Sequence, residues 1–157
     1  FPTWKTIQFG TGLKTADDFR KAVKSVGMKI DIWVNEMLEN RAFTAIERVT
    51  EVALVVVSVA ELGFKDGATR KDIYSRAKKL GLDRCSAEVG PQLYLQYTDQ
   101  PKNEWLVIAM EPIAGSDGSL FLFYVGHGGG ARWLLAGHGD PDYFWHGDYR
   151  FVFLRRK

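Results

Sequence analysis

Residues 52–64 have the sequence VALVVVSVAELGF, and this stretch decides the fold. Its first six residues are all apolar and rich in β-branched side chains, whereas a half-exposed strand alternates apolar and polar residues. The run therefore predicts a central strand that is buried on both faces. Ser58 and Glu61 have the S-x-x-E spacing of a capping box, which predicts that the strand leads directly into a helical turn.

Two amphipathic helices are predicted before this strand. Thr15 caps the first helix, which runs to about Ser25 and carries its apolar side chains on one face. The second helix covers about residues 29–39. Residues 1–14 suit an irregular segment or a short strand at residues 5–9, and residues 42–50 suit a strand or a helix.

A third helix, residues 69–80, is predicted after the central strand. Thr69 and Asp72 form its capping box, and Gly81 ends it. Residues 86–97 are ambiguous, because their apolar spacing fits a helix or a strand. We predict a short helix there.

The C-terminal third is expected to form β-structure. Its β-rich segments are separated by glycine-rich turns, a spacing that favours an antiparallel meander. The segments are 104–110, 119–124, 132–136 and 150–154. The sequence thus predicts one α+β domain, residues 1–157, in which N-terminal helices and a central buried strand pack with a C-terminal antiparallel meander sheet.

Composition limits the function classes. A chain of 157 residues with 46% apolar residues suits one globular domain. No apolar run approaches the roughly 20 residues that cross a bilayer, and no secretory signal is visible. The single Cys85 fits a reducing compartment. We therefore expect a cytoplasmic protein without membrane contact, with no cofactor and with homo-oligomerisation left open.

Three stretches resemble a family of uncharacterised bacterial proteins of unknown function. They are WKTIQFGTGLKTADDF (residues 4–19), ELGFKDGATRKDIY (residues 61–74) and AEVGPQL (residues 87–93). The resemblance covers nearly the full length of the chain. It implies one intact domain and carries no activity.

The basic helix 69–80 suggests a winged-helix DNA-binding protein as one alternative. Residues 65–84 hold seven basic and three acidic residues, and segment 73–82 resembles the first helix and turn of a helix-turn-helix motif. Residues 85–101, which would contain the recognition helix, hold no Lys or Arg, and this disfavours DNA. The candidate phosphate-binding residues are Arg70, Lys71 and Lys78.

The histidines suggest a zinc-dependent hydrolase as a third hypothesis. His127, His138 and His146 all lie in glycine-rich turns, where Asp140 or Asp148 could complete a zinc site. Turns favour His and Asp next to glycine in any case, and no metal-binding helix motif is present. We therefore predict no metal site.

Aromatic residues in the C-terminal loops support the leading hypothesis. Residues 140–149 contain four aromatic side chains, and rings beside polar turns suit a ligand pocket or a partner surface. The alternative is that every ring belongs to the core. We interpret the protein as a non-catalytic binding domain that recognises a small molecule or a protein partner. The candidate ligand-binding residues are Trp133, His138, Asp140, Tyr143, Trp145, His146 and Asp148.

Overall fold

A computed structural model of the chain describes residues 1–156 and confirms the α+β class. The helices are α1 (Ala16–Ser25), α2 (Ile32–Glu39), α3 (Arg70–Lys79) and α4 (Val89–Gln96), with a 3-10 turn at Ala60–Leu62. The strands are β1 (Lys5–Phe9), β2 (Thr50–Ser58), β3 (Ala68–Thr69), β4 (Leu82–Asp83), β5 (Trp105–Ile108), β6 (Ile113–Ala114), β7 (Leu120–Gly128), β8 (Ala131–His138), β9 (Phe144–Trp145) and β10 (Arg150–Arg155).

The predicted caps at Thr15 and Ser58 form, and Thr69 accepts a hydrogen bond from Asp72 N without the return bond of a full capping box. Thr15 and Asp18 make a reciprocal capping box at the start of α1. After β2, Ser58 N donates to Glu61 Oε1 at 2.8 Å and Glu61 N donates to Ser58 Oγ at 3.0 Å. These bonds satisfy helix-end amides and fix where each element begins.

Helix α2 begins later than the predicted residue 29. The Asp31 side chain accepts a hydrogen bond from Val34 N at 2.8 Å, so Asp31 is the residue that caps this helix. The predicted helix at residues 86–97 is also present, as α4, and residues 42–49 are neither helix nor strand.

The main sheet has eight strands and is mixed. Its order is β1-β2-β10-β5-β7, and β8 pairs with the other edge of β7. β4 pairs with the end of β10, and β6 pairs with the start of β7. Two further strands, β3 and β9, pair in a separate ladder.

The predicted antiparallel meander is only partly formed. β5, β7 and β8 are antiparallel neighbours, but β10 lies between β2 and β5 and runs parallel to β5. Phe151, Val152 and Phe153 are all buried, so both faces of β10 are apolar. This pattern suits an interior strand better than the edge position that a meander would give the last strand.

Helices cover both faces of the sheet. Tyr74 of α3 packs edge-on against Phe151 and Phe153, whereas α4 packs on the opposite face, where a Cβ added to Gly90 would lie 2.6 Å from the Phe123 ring. α1 and α2 lie on the same face as α4. None of the helices formed by residues 1–156 combines the length and apolar character that crossing a lipid bilayer requires.

Aromatic rings lie directly over glycines of adjacent strands. Gly126 of β7 is paired with Trp105 of β5, and a Cβ at Gly126 would lie 1.9 Å from a Trp105 ring carbon. Tyr124 covers Gly137 equally closely. Non-bonded atoms cannot approach to 1.9 Å. Each ring can therefore occupy its position only beside a glycine, which has no side chain.

We expect Gly126→Ala to lower the free energy of unfolding by about 1–3 kcal/mol, because the added methyl displaces the Trp105 ring. Urea unfolding followed by circular dichroism measures the loss. The same substitution in a Trp105→Leu background should cost clearly less. Equal costs in both backgrounds would show that the ring does not require glycine.

Candidate functional site

Residues 138–149 lie against the N-terminus of α3. Arg70 N donates to Tyr143 O at 3.1 Å, and Lys71 N donates to Pro141 O at 3.0 Å. These bonds satisfy two of the amides that a helix leaves unpaired at its start. The structure therefore brings the predicted ligand loop and the predicted basic helix into one region of the surface.

Trp145 is the buried centre of this region. It is 1% exposed, and four rings surround it at centroid distances from 5.0 to 5.9 Å: Tyr124, Tyr143, Tyr149 and Phe151. Its Nε1 is buried without a hydrogen-bond partner. Although Trp145 was a candidate for direct ligand contact, its position is that of a core residue that supports the rings around it.

Three aromatic rings close to Trp145 in sequence remain exposed. Phe144 is 50% exposed, Tyr149 40% and Tyr143 37%. His138 stacks on Tyr143 with ring centroids 4.3 Å apart, and His146 packs edge-on against Phe144 at 5.7 Å. We call Tyr143, Phe144, Tyr149, His138 and His146 the aromatic surface. Sequence reasoning omitted Phe144 and Tyr149, although both lie in the aromatic-rich stretch that it identified.

The aromatic surface has an acidic rim. Asp140, Asp142 and Asp148 are all exposed, and residues 138–149 contain no Lys or Arg. Asp140 O accepts a hydrogen bond from Tyr143 N at 3.2 Å, which closes the turn before β9. This segment therefore carries three negative charges next to its exposed rings.

Trp133 does not join this surface. Its Nε1 donates to Gly128 O at 2.9 Å, and it lies five residues before His138 on β8, a separation of about 16 Å along a strand. Of the seven candidate ligand-binding residues, the structure thus places Trp133 elsewhere and Trp145 below the surface. It leaves His138, Asp140, Tyr143, His146 and Asp148 exposed.

The three histidines are not grouped around a common point. His127 pairs with Arg132 at one end of the β7–β8 ladder and His138 pairs with Phe121 at the other, about 20 Å apart at the rise of a strand. His127 Nδ1 lies 2.6 Å from Gln100 O. Residues 1–156 contain no group of three His, Cys, Asp or Glu side chains that could hold a metal ion.

Cys85 is a core residue. Burial raises the pKa of its thiol far above the usual value, so the nucleophilic thiolate does not form near neutral pH. Its Sγ lies 3.5 Å from Val152 O, within the sheet. This position is that of a small buried hydrophobe.

The basic helix does not present a helix-turn-helix. Most of α4, the expected recognition helix, is buried from Val89 to Tyr94 and therefore cannot enter a DNA groove. Arg70 is only 9% exposed, and its guanidinium lies 4.9 Å from the Tyr74 ring centroid. Lys71 and Lys78 are exposed.

Three cavities of the structure lie away from the aromatic surface. One groove of ≈ 930 Å³ runs between β1, β2 and the end of β10, and a second of ≈ 560 Å³ lies beside α3 and Cys85. A third, of ≈ 500 Å³, lies between α4 and β8. Residues 138–149 line none of these three cavities.

Comparison of the chain with protein-family models, with curated proteins and with solved structures finds no match. The comparisons therefore assign no family and no activity. The resemblance to uncharacterised bacterial proteins stays a prediction.

The burial of Trp145 predicts different costs for neighbouring rings. Trp145→Ala should lower the free energy of unfolding by about 3–5 kcal/mol, because it leaves a large cavity, whereas Phe144→Ala at a half-exposed position should cost at most about 1 kcal/mol. Chemical denaturation of both variants measures this difference. Equal losses would contradict the division into a buried support and an exposed surface.

Proposed function

We propose that this protein is a non-catalytic binding domain that recognises a protein partner through the aromatic surface. The observation that carries the proposal is the exposure of Tyr143, Phe144 and Tyr149 beside the buried Trp145. Large aromatic side chains bury much area at little entropic cost, and they dominate the binding energy of many protein interfaces. Trp145 supports Tyr143 and Tyr149, and the pairing of β9 with β3 holds Phe144, before a partner binds.

The shape of the surface supports a protein over a small molecule. Small-molecule sites are concave and enclose most of their ligand, whereas residues 138–149 line none of the three cavities described above. Exposed apolar side chains with a polar rim are typical of a protein interface.

The charge of the rim defines the partner further. Asp140, Asp142 and Asp148 are exposed in and next to the segment that carries Tyr143 and Phe144, against the single exposed Lys71 of α3 beside Pro141. Complementary charge at an interface speeds association and excludes wrong partners. The partner should therefore offer apolar side chains flanked by Lys or Arg. The unpaired Cys85 supports a cytoplasmic location for this encounter.

The partner can be captured by its contact with the aromatic surface. A photo-crosslinking amino acid at position 142 should trap it in cells, and the same amino acid at the exposed Val49 should not. The trapped protein is then purified and its affinity measured by calorimetry. A crosslink to a second copy of the chain would identify a homo-oligomer interface.

With purified components, Tyr143→Ala and Phe144→Ala should each weaken binding at least about tenfold, or 1.4 kcal/mol. Phe1→Ala is the matched control, because Phe1 is as exposed as Phe144, with 49% of its surface free, and lies outside the site. Unchanged affinity in both variants would reject the proposal. DNA binding that is lost on neutralising Lys71 and Lys78 would support the nucleic-acid alternative instead.

A further inference from the structure

A cavity on the opposite face of the sheet is lined by Arg132, and two of the side-chain nitrogens of this residue have no hydrogen-bond partner. It lies between the loop after α1, the C-terminal half of α4 and the start of β8, and has a volume of ≈ 500 Å³. This volume is within the range of about 300–1,000 Å³ that small-molecule sites occupy. The residues that line it include Met28, Lys29, Leu95, Thr98 and Arg132.

The guanidinium of Arg132 lacks partners for its buried nitrogens. Its Cζ lies 4.7 Å from the Tyr94 ring centroid, but Nε and Nη2 are buried without any hydrogen bond. Arg132 forms no ion pair with a carboxylate of residues 1–156. Buried donors without acceptors are costly and rare in folded proteins.

The burial of the Arg132 guanidinium also affects its charge. Burial lowers the pKa of Arg132, and the nearby Tyr94, Tyr97 and Asp99 offset this effect only in part. A desolvated guanidinium favours an anion, and its planar donors match the oxygens of a carboxylate or phosphate.

The rest of the cavity is suited to an amphipathic ligand. Lys29 supplies a second positive charge and Thr98 a hydroxyl, and both are exposed. Met28, which is buried, and Leu95, which is half-buried, provide apolar walls. The polar and apolar groups thus meet in one cavity, as they do in sites for small organic molecules.

We propose that this cavity binds a small organic anion, with its carboxylate or phosphate group at Arg132 and Lys29 and its apolar body against Met28 and Leu95. The site is separate from the aromatic surface and does not depend on the function proposed for it.

Calorimetry with four probes tests the site: octanoate, octyl phosphate, inorganic phosphate and the neutral octanamide. At least one octyl anion should bind tenfold or more tightly than octanamide, and the stronger of the two identifies the preferred group. Inorganic phosphate should bind more weakly than octyl phosphate, because it lacks the apolar body. In ¹⁵N NMR spectra, the Nε–H signal of Arg132 should shift with the bound fraction.

Arg132→Met should reduce affinity for the anion at least tenfold while the melting temperature stays the same or rises, since Met fills similar space without unpaired donors. Lys29→Met should weaken binding severalfold. Lys24→Met, an exposed α1 lysine outside the cavity, is the matched control and should change nothing. Phe144→Ala should also leave this affinity unchanged, which separates the site from the aromatic surface.

Three results would overturn the proposal. Equal binding of octanoate, octyl phosphate and octanamide would show an apolar cavity without anion recognition. Unchanged anion affinity in a folded Arg132→Met protein, or no binding of any probe at millimolar concentration, would exclude the site. If Arg132→Met does not fold, the test uses the anion affinity of Lys29→Met and the Arg132 Nε–H signal of the wild-type protein. The proposal is rejected if Lys29→Met binds the anion as tightly as the wild-type protein and the Arg132 signal does not shift on adding the anion.

Discussion

The pairing of β10 along both of its edges is the interaction on which the rest of the structure depends. β2 occupies one edge, and β4 and β5 occupy the other. Alternate side chains of β10 serve opposite layers: Phe151 and Phe153 contact Tyr74 of α3, and Val152 faces the other side. Phe151 also contacts Trp145. The same strand therefore helps to position Trp145, the buried residue at the centre of the candidate site.

Those parts of the fold that depend on neighbouring residues could be predicted from the sequence. The apolar run of β2 and the capping boxes at Thr15 and Ser58 act over a few residues, where spacing determines the hydrogen bonds. The place of β10 could not be predicted in this way. Its parallel neighbour β5 lies more than forty residues earlier, and local patterns favour pairing with the preceding segment.

Local sequence patterns also could not predict which side chains of the candidate site are buried and which are exposed. Composition located the aromatic cluster, but Phe144 and Trp145 are adjacent on a two-residue strand and point to opposite faces. Pairing with β3 decides that Trp145 is buried and Phe144 exposed. Arg132 has no local signal at all, because its burial results from α4, which is distant in sequence and covers it with Tyr94.

The interior position of β10 has a consequence for synthesis of the chain. A ribosome makes β2 and β5 well before residues 150–155, and until those residues emerge the two strands lack the one that joins them. Their open edges and apolar faces are then available to other nascent chains. The main sheet therefore closes only after residues 150–155 have been translated, and its unfinished edges have to be shielded until then.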